Sequence, residues 1–227
     1  MASVVLVGAT GLVGSHILKT LQAVDGVSKI ATFSRKPLPS ETKINNPIVS
    51  PDSSSWPQQF PANNDLFISA LGTTRAAAGG FENQRKIDYD LNVALAQEAA
   101  KGTKVYVLIS SSGANSQSMV GYPKMKGELE DAVASMGFKR VIILRPGLIV
   151  GARDDTRIVE AAFRKLAGAM GAVSNKLKDF WAQDDEVIAR AAVRAGLEAL
   201  KDVDGKEKVT ILGQADVVRL GRTEWDL

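Results

Sequence analysis

Short apolar runs rich in β-branched residues recur along the chain: SVVLV from Ser3, then KIATF, NPIVS, DLFISA, KVYVLIS and RVIIL. Between several of them the apolar positions fall at helical intervals. Runs that are apolar on both faces suit strands of a parallel sheet covered by helices on each side, because neither face of such a strand meets water. GLVGSHILKTLQ sets Ile17, Leu18 and Leu21 on one helical face, and NQRKIDYDLNVALAQEAA has the composition and period of a longer helix. The alternation predicts an α/β fold, a single Rossmann-like, doubly wound domain over residues 1–227 with a mostly parallel sheet.

Two regions depart from the alternation. Six of the eight prolines lie between Pro37 and Pro61, so this part reads as loops around one short strand. Beyond Arg145, RIVEAAFRKLAGAMG and DDEVIARAAVRAGLEAL read as helices and KVTIL as a brief strand. Residues 1–150 are therefore expected to form the dinucleotide-binding core, and residues 151–227 a small C-terminal helical appendix on the substrate side. VIILRPGLIV, the most apolar late stretch, is short and broken by Arg145, Pro146 and Gly147, so no transmembrane span is expected there. The first strand starts at Ser3, which leaves no room for a signal or transit segment ahead of it.

Charge narrows the partners. Lys plus Arg total 28 against 25 for Asp plus Glu, with no dense basic run; this does not point to nucleic-acid binding. The chain has no cysteine and one histidine, which removes thiolate chemistry and a histidine-rich metal site. His16, one turn into the first helix, is assigned no chemistry. Asp184, Asp185 and Glu186 precede an apolar-periodic run and read as helix N-terminal charges rather than a metal site.

The first strand ends in VGATGLVG, with Gly8, Gly11 and Gly14 spaced GxxGxxG and leading into an amphipathic helix. A tight turn, a backbone without Cβ and free amides at a helix N-terminus make a seat for a pyrophosphate. Where the second strand ends, an acidic residue would favour NAD; this chain has Ser34, Arg35 and Lys36. A guanidinium can fork onto a phosphate, so NADP(H) is the expected cofactor.

KVYVLIS ends in Ser110, Ser111 and Ser112, at the strand edge where doubly wound sheets bind ligands. Tyr122 and Lys126 follow at i and i+4, on one face of a helix that should begin close to Tyr122, with Pro123 in its first turn. A serine hydroxyl and a tyrosine hydroxyl can hold a carbonyl oxygen while the tyrosine exchanges a proton, and a nearby ammonium would lower the tyrosine pKa. Ser111, Tyr122 and Lys126 are the catalytic candidates, with the choice among the three serines left open by the pattern.

These residues together resemble the short-chain dehydrogenase/reductase superfamily, in its atypical branch. ALGTTRAAAGGFENQRKIDYDLN, VLISSSGA, YPKMKGELE, ILRPGLIVG and ADVVRLGRTEW extend the likeness over nearly the whole chain. They resemble the fungal "found in mitochondrial proteome" family, itself similar to animal Tat-interacting-protein oxidoreductases. The resemblance implies that Thr10, Gly11, Leu12 and Val13 touch the cofactor phosphates and that Arg35 and Lys36 meet the adenosine 2′-phosphate. It implies further that Leu71 and Gly72 lie beside the cofactor, that Leu148 and Ile149 close over the nicotinamide, and that Arg157 is another cofactor contact. Tyr122 would exchange the proton, Lys126 would meet the nicotinamide ribose, and Asn92 would support a proton relay. The animal relatives carry lysine where this chain has Ser112, a departure that bears on which serine is used. The family is associated with the mitochondrial outer membrane as a peripheral protein; the alternative location is cytoplasmic.

The reading that results is an NADPH-dependent oxidoreductase acting on a small carbonyl compound or its alcohol. The competing class is an NADP(H)-binding regulator or adaptor, since one fold serves both. Arg75, beside Gly79 and Gly80, reads as part of a loop over the site, with a structural salt bridge or backbone contact expected of it before a substrate contact. Trp181 reads as core or interface and Trp225 as a tether for the tail. Substrate identity and oligomeric state are not encoded in any of these patterns.

Overall fold

The computed structural model describes residues 1–38, 45–150 and 182–225. The chain opens with β1 (Ala2–Val7), α1 (Leu12–Ala23), β2 (Val27–Ser34) and β3 (Asn45–Val49). Two single 3₁₀ turns follow at Ser53–Ser55 and Pro57–Gln59, where the prolines predicted loops. Then come β4 (Leu66–Ser69), the four-residue α2 (Arg75–Ala78), α3 (Phe81–Arg85), a π-helical turn (Lys86–Leu91) and α4 (Asn92–Ala99). The remainder is β5 (Val105–Ile109), α5 (Gly121–Ala134), β6 (Arg140–Leu144), β7 (Leu148–Val150), β8 (Ala182–Asp184), α6 (Asp185–Lys201), β9 (Val209–Leu212) and α7 (Gln214–Val218), ending in a π-helical turn at Arg219–Thr223.

Seven strands form one sheet in the order β3-β2-β1-β4-β5-β6-β9, and every neighbouring pair is parallel. Each of the seven is one of the apolar runs read in the sequence. The order reverses between β1 and β4, so the chain leaves their C-terminal ends in opposite directions and a crevice opens there. The small parallel pair β7–β8 was not expected. RPGLIV was read as a broken apolar run, and a strand of three residues carries no readable period.

Strand alternation explains the two cores. Val4 and Leu6 point to one face with Ile30, Leu66, Ile68 and Val107, under Ile17 and Leu21 of α1 and Val187, Ile188 and Ala191 of α6. Val5 and Val7 point to the other, with Phe33, Phe67, Tyr106 and Leu108 under Leu95 of α4 and Leu129 of α5. The described part of the C-terminal third is thus built into the main fold: α6 packs beside α1, β9 extends the sheet, and small helices follow. Trp225 packs on the first core with Arg190 over its ring at 5.7 Å, the tether anticipated for the tail. RIVEAAFRKLAGAMG and Trp181 lie outside the described residues.

On the second face an aromatic row crosses the sheet. Phe33 meets Phe60 at 6.0 Å, Phe60 meets Phe67 at 5.1 Å, and Phe67–Tyr106 and Tyr106–Phe138 are each 5.0 Å between centroids. Phe67 is fully buried at its middle. Phe67→Ala is expected to cost about 3–5 kcal/mol in urea unfolding, the range for an aromatic deletion that leaves a cavity.

Candidate functional site

The crevice is shaped by glycines that no other residue could replace. Gly8 has φ +83°, and a Cβ on it would lie 2.4 Å from the Ala70 carbonyl oxygen, just past β4. A Cβ on Gly14 would lie 2.0 Å from the Gly8 carbonyl oxygen. The loop is therefore pressed against both its own helix and the end of β4. Gly11 donates to the Gly8 carbonyl at 2.8 Å and caps α1 without a side-chain bond. The amides of the first turn of α1 then face the crevice end of the helix, with its positive dipole end.

At the end of β2, Ser34 is buried and its Oγ has no hydrogen-bond partner among the described residues. Buried hydroxyls seldom stay unpaired, and such an atom asks for a ligand or water. Arg35 and Lys36 beside it are exposed. Leu71 and Gly72 follow β4: the Leu71 carbonyl accepts from Asn92 Nδ2 at 3.4 Å, and Gly72 faces the Asp88 carboxyl. The cradle a Cβ would fill, the orphaned Ser34 hydroxyl and the adjacent cations fit a nicotinamide dinucleotide.

The three serines after β5 have separate fates. Ser110 is buried and donates to Glu130, a buried carboxylate that also takes Arg145 Nε at 3.2 Å on each oxygen. Ser110 is thereby committed to the scaffold. The Ser112 amide donates to the Pro146 carbonyl at 2.7 Å, and its side chain faces solvent. Ser111 is half-buried; its Oγ donates to the Ser112 carbonyl at 3.3 Å, and it lies near enough to Tyr122 to draw the phenol's pKa down. The loop that follows is strapped onto α5: Asn115 donates to the Pro123 carbonyl at 3.0 Å, and a Cβ on Gly127 would meet the Ser116 amide nitrogen at 2.1 Å.

Helix α5 begins at Gly121, one residue before the expected start, with Tyr122 and Pro123 in its first turn. Lys126 is 3% exposed and its Nζ donates to the Ile109 carbonyl at 3.2 Å. Burial pushes this ammonium below the usual lysine range, while Asp88 and Glu130 hold it up. Tyr122 keeps 41% of its surface exposed. Even so, loss of hydration and the Asp88 carboxylate raise its phenol above the ordinary value, with Ser111 pulling the other way. This corrects the expectation that Lys126 would lower the tyrosine pKa. The ammonium is answered by carboxylates and a carbonyl, so the phenol responds to burial and to Asp88 instead.

Two polar residues of this site escaped the sequence reading. Asp88, 2% exposed on the π-helical turn, accepts from the Thr73 amide at 2.7 Å and from Gln84 Nε2 at 3.3 Å. Gln84 also donates to the Thr73 carbonyl at 3.0 Å. The available signal was the spacing of Asp88 and Asn92, polar groups one helical turn apart in a segment otherwise read as amphipathic. Asn92 is buried, accepts from Ser69 and donates to the Asp88 carbonyl at 3.1 Å, so its side chain ties β4 to the π turn.

Other expectations resolve as follows. Leu148 is exposed and Ile149 packs against the first core, their strand paired with β8. Arg75 is exposed on α2 and makes no ion pair among the described residues, so of the salt bridge or backbone contact expected of it the salt bridge is not found there. Asp185 and Glu186 stand in the first turn of α6 as expected, with Asp185 accepting from the Glu186 amide at 2.8 Å. Asp184 pairs with Arg222 at 3.0 Å, and His16 faces Asp185 at 3.6 Å. Arg157 lies outside the described residues. No cluster of potential metal ligands occurs among the described residues.

The profile of the HIM1 family matches residues 57–175. "Protein fmp52, mitochondrial" of Aspergillus clavatus is 53% identical over 232 residues, covering 97% of this chain and 99% of that protein. The Neurospora crassa protein of the same name is 43% identical and covers 98% and 96%. The chain belongs to the fungal FMP52 family. Among solved structures, a short chain dehydrogenase/reductase of Saccharomyces cerevisiae superposes with a TM-score of 0.70 at 15% identity, covering 97% and 99% of the two chains. MoeE5, solved with UDP-glucose and NAD, gives 0.67 at 15% identity, covering 97% and 81%. At these identities the likeness establishes the fold: this FMP52 protein has the Rossmann-like architecture of short-chain dehydrogenases.

In this family member the Ser110–Glu130–Arg145 group holds β5, α5 and β6 together beneath the site. Glu130→Ala should lower unfolding free energy by about 3–5 kcal/mol, because it leaves Arg145 and the Ser110 hydroxyl without their buried acceptor. Chemical denaturation measures this directly.

Proposed function

We propose that this FMP52 protein is an NADPH-dependent oxidoreductase that reduces a small carbonyl compound, or oxidises the corresponding alcohol. The observation that supports this reading best is that Ser111 and Tyr122 lie near one another at the C-terminal end of β5, where the buried Lys126 is held by the Ile109 carbonyl. Ligands of doubly wound sheets bind at that edge, near the β1–β4 reversal.

Thr10 and the amides of Gly11, Leu12, Val13 and Gly14, with Gly8 giving the turn, would hold the pyrophosphate. Ser34, Arg35 and Lys36 would hold the adenosine 2′-phosphate, and the absence of a carboxylate among them favours NADP(H) over NAD. Leu71, Gly72, Leu148 and Ile149 would line the cofactor's course, and Lys126 would meet the ribose. Bound there, the nicotinamide supplies or accepts a hydride.

The protein's part is to hold and protonate the oxygen. Ser111 and Tyr122 present two hydroxyls to the carbonyl oxygen, donors aimed where negative charge develops. The raised Tyr122 pKa keeps the phenol protonated at neutral pH, which suits proton donation in the reducing direction. Lys126 places a positive charge behind the phenol as the proton leaves.

The relatives' names carry "mitochondrial", which supports a mitochondrial location, and the family resemblance extends this to peripheral attachment at the outer membrane. No helix among the described residues is long and apolar enough to cross a membrane.

Across a panel of aldehydes, ketones and quinones, the parent protein is expected to oxidise NADPH with at least one. Binding of NADPH with no turnover anywhere in the panel would move the assignment to a cofactor-dependent regulator. With a substrate in hand, Tyr122→Phe should lower kcat by about 10²–10⁴-fold; a loss within about tenfold would remove Tyr122 as proton donor. Arg35→Ala should weaken NADPH binding at least about tenfold and leave NADH nearly unchanged, as seen by nucleotide fluorescence titration. Equal loss for both nucleotides would remove the 2′-phosphate assignment.

A further inference from the structure

The Pro146–Gly147 peptide stands between two parts of the site and is held from both sides. Its carbonyl accepts the Ser112 amide at 2.7 Å, one residue beyond Ser111. Its N–H, on Gly147, donates to Gln183 Oε1 at 2.5 Å. The carbonyl and N–H of a trans peptide point opposite ways, so one edge of this plane carries the serine loop and the other carries β8.

Such a peptide is not fixed by its own chemistry. The proline ring locks φ of Pro146, but the plane turns about ψ of Pro146 and φ of Gly147, and glycine has no Cβ to resist. The bonds at its two edges therefore set its orientation. Upstream the chain is already anchored, with the Arg145 amide donating to the Leu212 carbonyl at 2.9 Å. Downstream, pairing with β8 starts at Leu148 opposite Ala182, followed by Ile149 opposite Gln183. Gly147 lies one residue before that ladder, and the Gln183 side chain supplies its acceptor there.

Gln183 suits this task. It is fully buried, so water does not compete for its oxygen. The Gly147 N–H can only donate, which turns the side-chain oxygen toward it and the NH₂ group away. Nε2 then donates to Oε1 of Gln214, the first residue of α7, at 3.3 Å. A line of hydrogen bonds thus runs from α7 through Gln183 and the Pro146–Gly147 peptide to the serine loop.

We propose that Gln183 is a positioning residue of this site: by holding the Gly147 amide it keeps the Pro146 carbonyl turned to Ser112, and so fixes the serine loop relative to the Leu148–Ile149 strand. The consequence for turnover rests on the oxidoreductase reading, in which Ser111 meets the carbonyl oxygen and Leu148 and Ile149 line the cofactor. The hydrogen-bond coupling does not. Without the Gln183 oxygen the half-buried Gly147 N–H turns toward water, and the plane carries the Pro146 carbonyl away from Ser112.

The test is amide hydrogen exchange on the full chain, resolved by NMR, in the parent and in Gln183→Leu, which has no acceptor. The Gly147 and Ser112 amides are both expected to exchange about fivefold faster or more. The Ser110 amide, which donates to the Leu144 carbonyl, and the Arg145 amide should keep their rates. Gln183→Glu, whose protonated carboxyl accepts from Gly147 and donates to Gln214, should restore both rates. Acceleration at Gly147 with Ser112 unchanged would overturn the coupling, as would equal acceleration at all four amides. Should Gln183→Leu fail to fold, Gln183→Asn, one methylene shorter, withdraws the oxygen while keeping a polar amide and is read in the same way. With a carbonyl substrate, Gln183→Leu should lower kcat about tenfold or more, and Gln183→Glu should recover it to within about threefold. A loss without recovery would overturn the positioning role in favour of packing alone. If the parent turns over no carbonyl compound, the oxidoreductase reading fails, while the exchange rates still decide the coupling of Gln183 to Ser112.

Discussion

Burying an ammonium at the end of a central strand is the constraint around which the site is arranged. A charge withdrawn from water must be answered by dipoles and counter-charges, or it is given up. Lys126 is answered by the Ile109 carbonyl, by Glu130 on its own helix and by Asp88 on the facing turn. Each brings a neighbour with it. Glu130 takes Ser110 and Arg145, binding β5 to β6. Asp88 takes Thr73 and Gln84, shaping the turn after β4. Of the three serine hydroxyls, that of Ser110 is taken into the scaffold.

The opposite wall is governed by steric closeness instead of charge. The Gly8 carbonyl lies so near α1 and the Gly8 Cα so near Ala70 that a side chain at Gly8 or Gly14 would overlap backbone. Backbone atoms that cannot move have no alternative rotamer to relax into, so this wall is rigid. A rigid glycine loop on one side and a helix with a buried lysine on the other frame a crevice at the β1–β4 reversal. The fold that carries this crevice is shared with solved structures of low sequence identity.

Much of this was legible in the residues. All seven strands of the main sheet were visible as apolar runs, because a parallel strand covered on both faces admits few polar positions. The glycine loop was visible because its spacing reflects local contacts within one turn and one helix. Tyr122 and Lys126 were visible because i and i+4 share a helical face wherever the helix goes. The strand pair β7–β8 was not, since a three-residue strand has no period to read.

The roles of individual polar groups followed a different rule. Three consecutive serines are equivalent as a string, and they become distinct only when Glu130 comes up beneath Ser110 and the phenol beside Ser111. Asp88, 15 residues after Thr73 in the numbering, is brought to the Thr73 amide by a π-helical turn. The direction of the Tyr122 shift likewise depends on which charges surround it in space. The sequence by itself determined the architecture, the glycine loop and the residue types available for chemistry, because these follow from periodicity and local geometry. Only the tertiary structure decided which serine is taken up by Glu130, which carbonyl holds the buried lysine and which way the phenol's pKa moves, because electrostatics and desolvation depend on distances that chain order does not record.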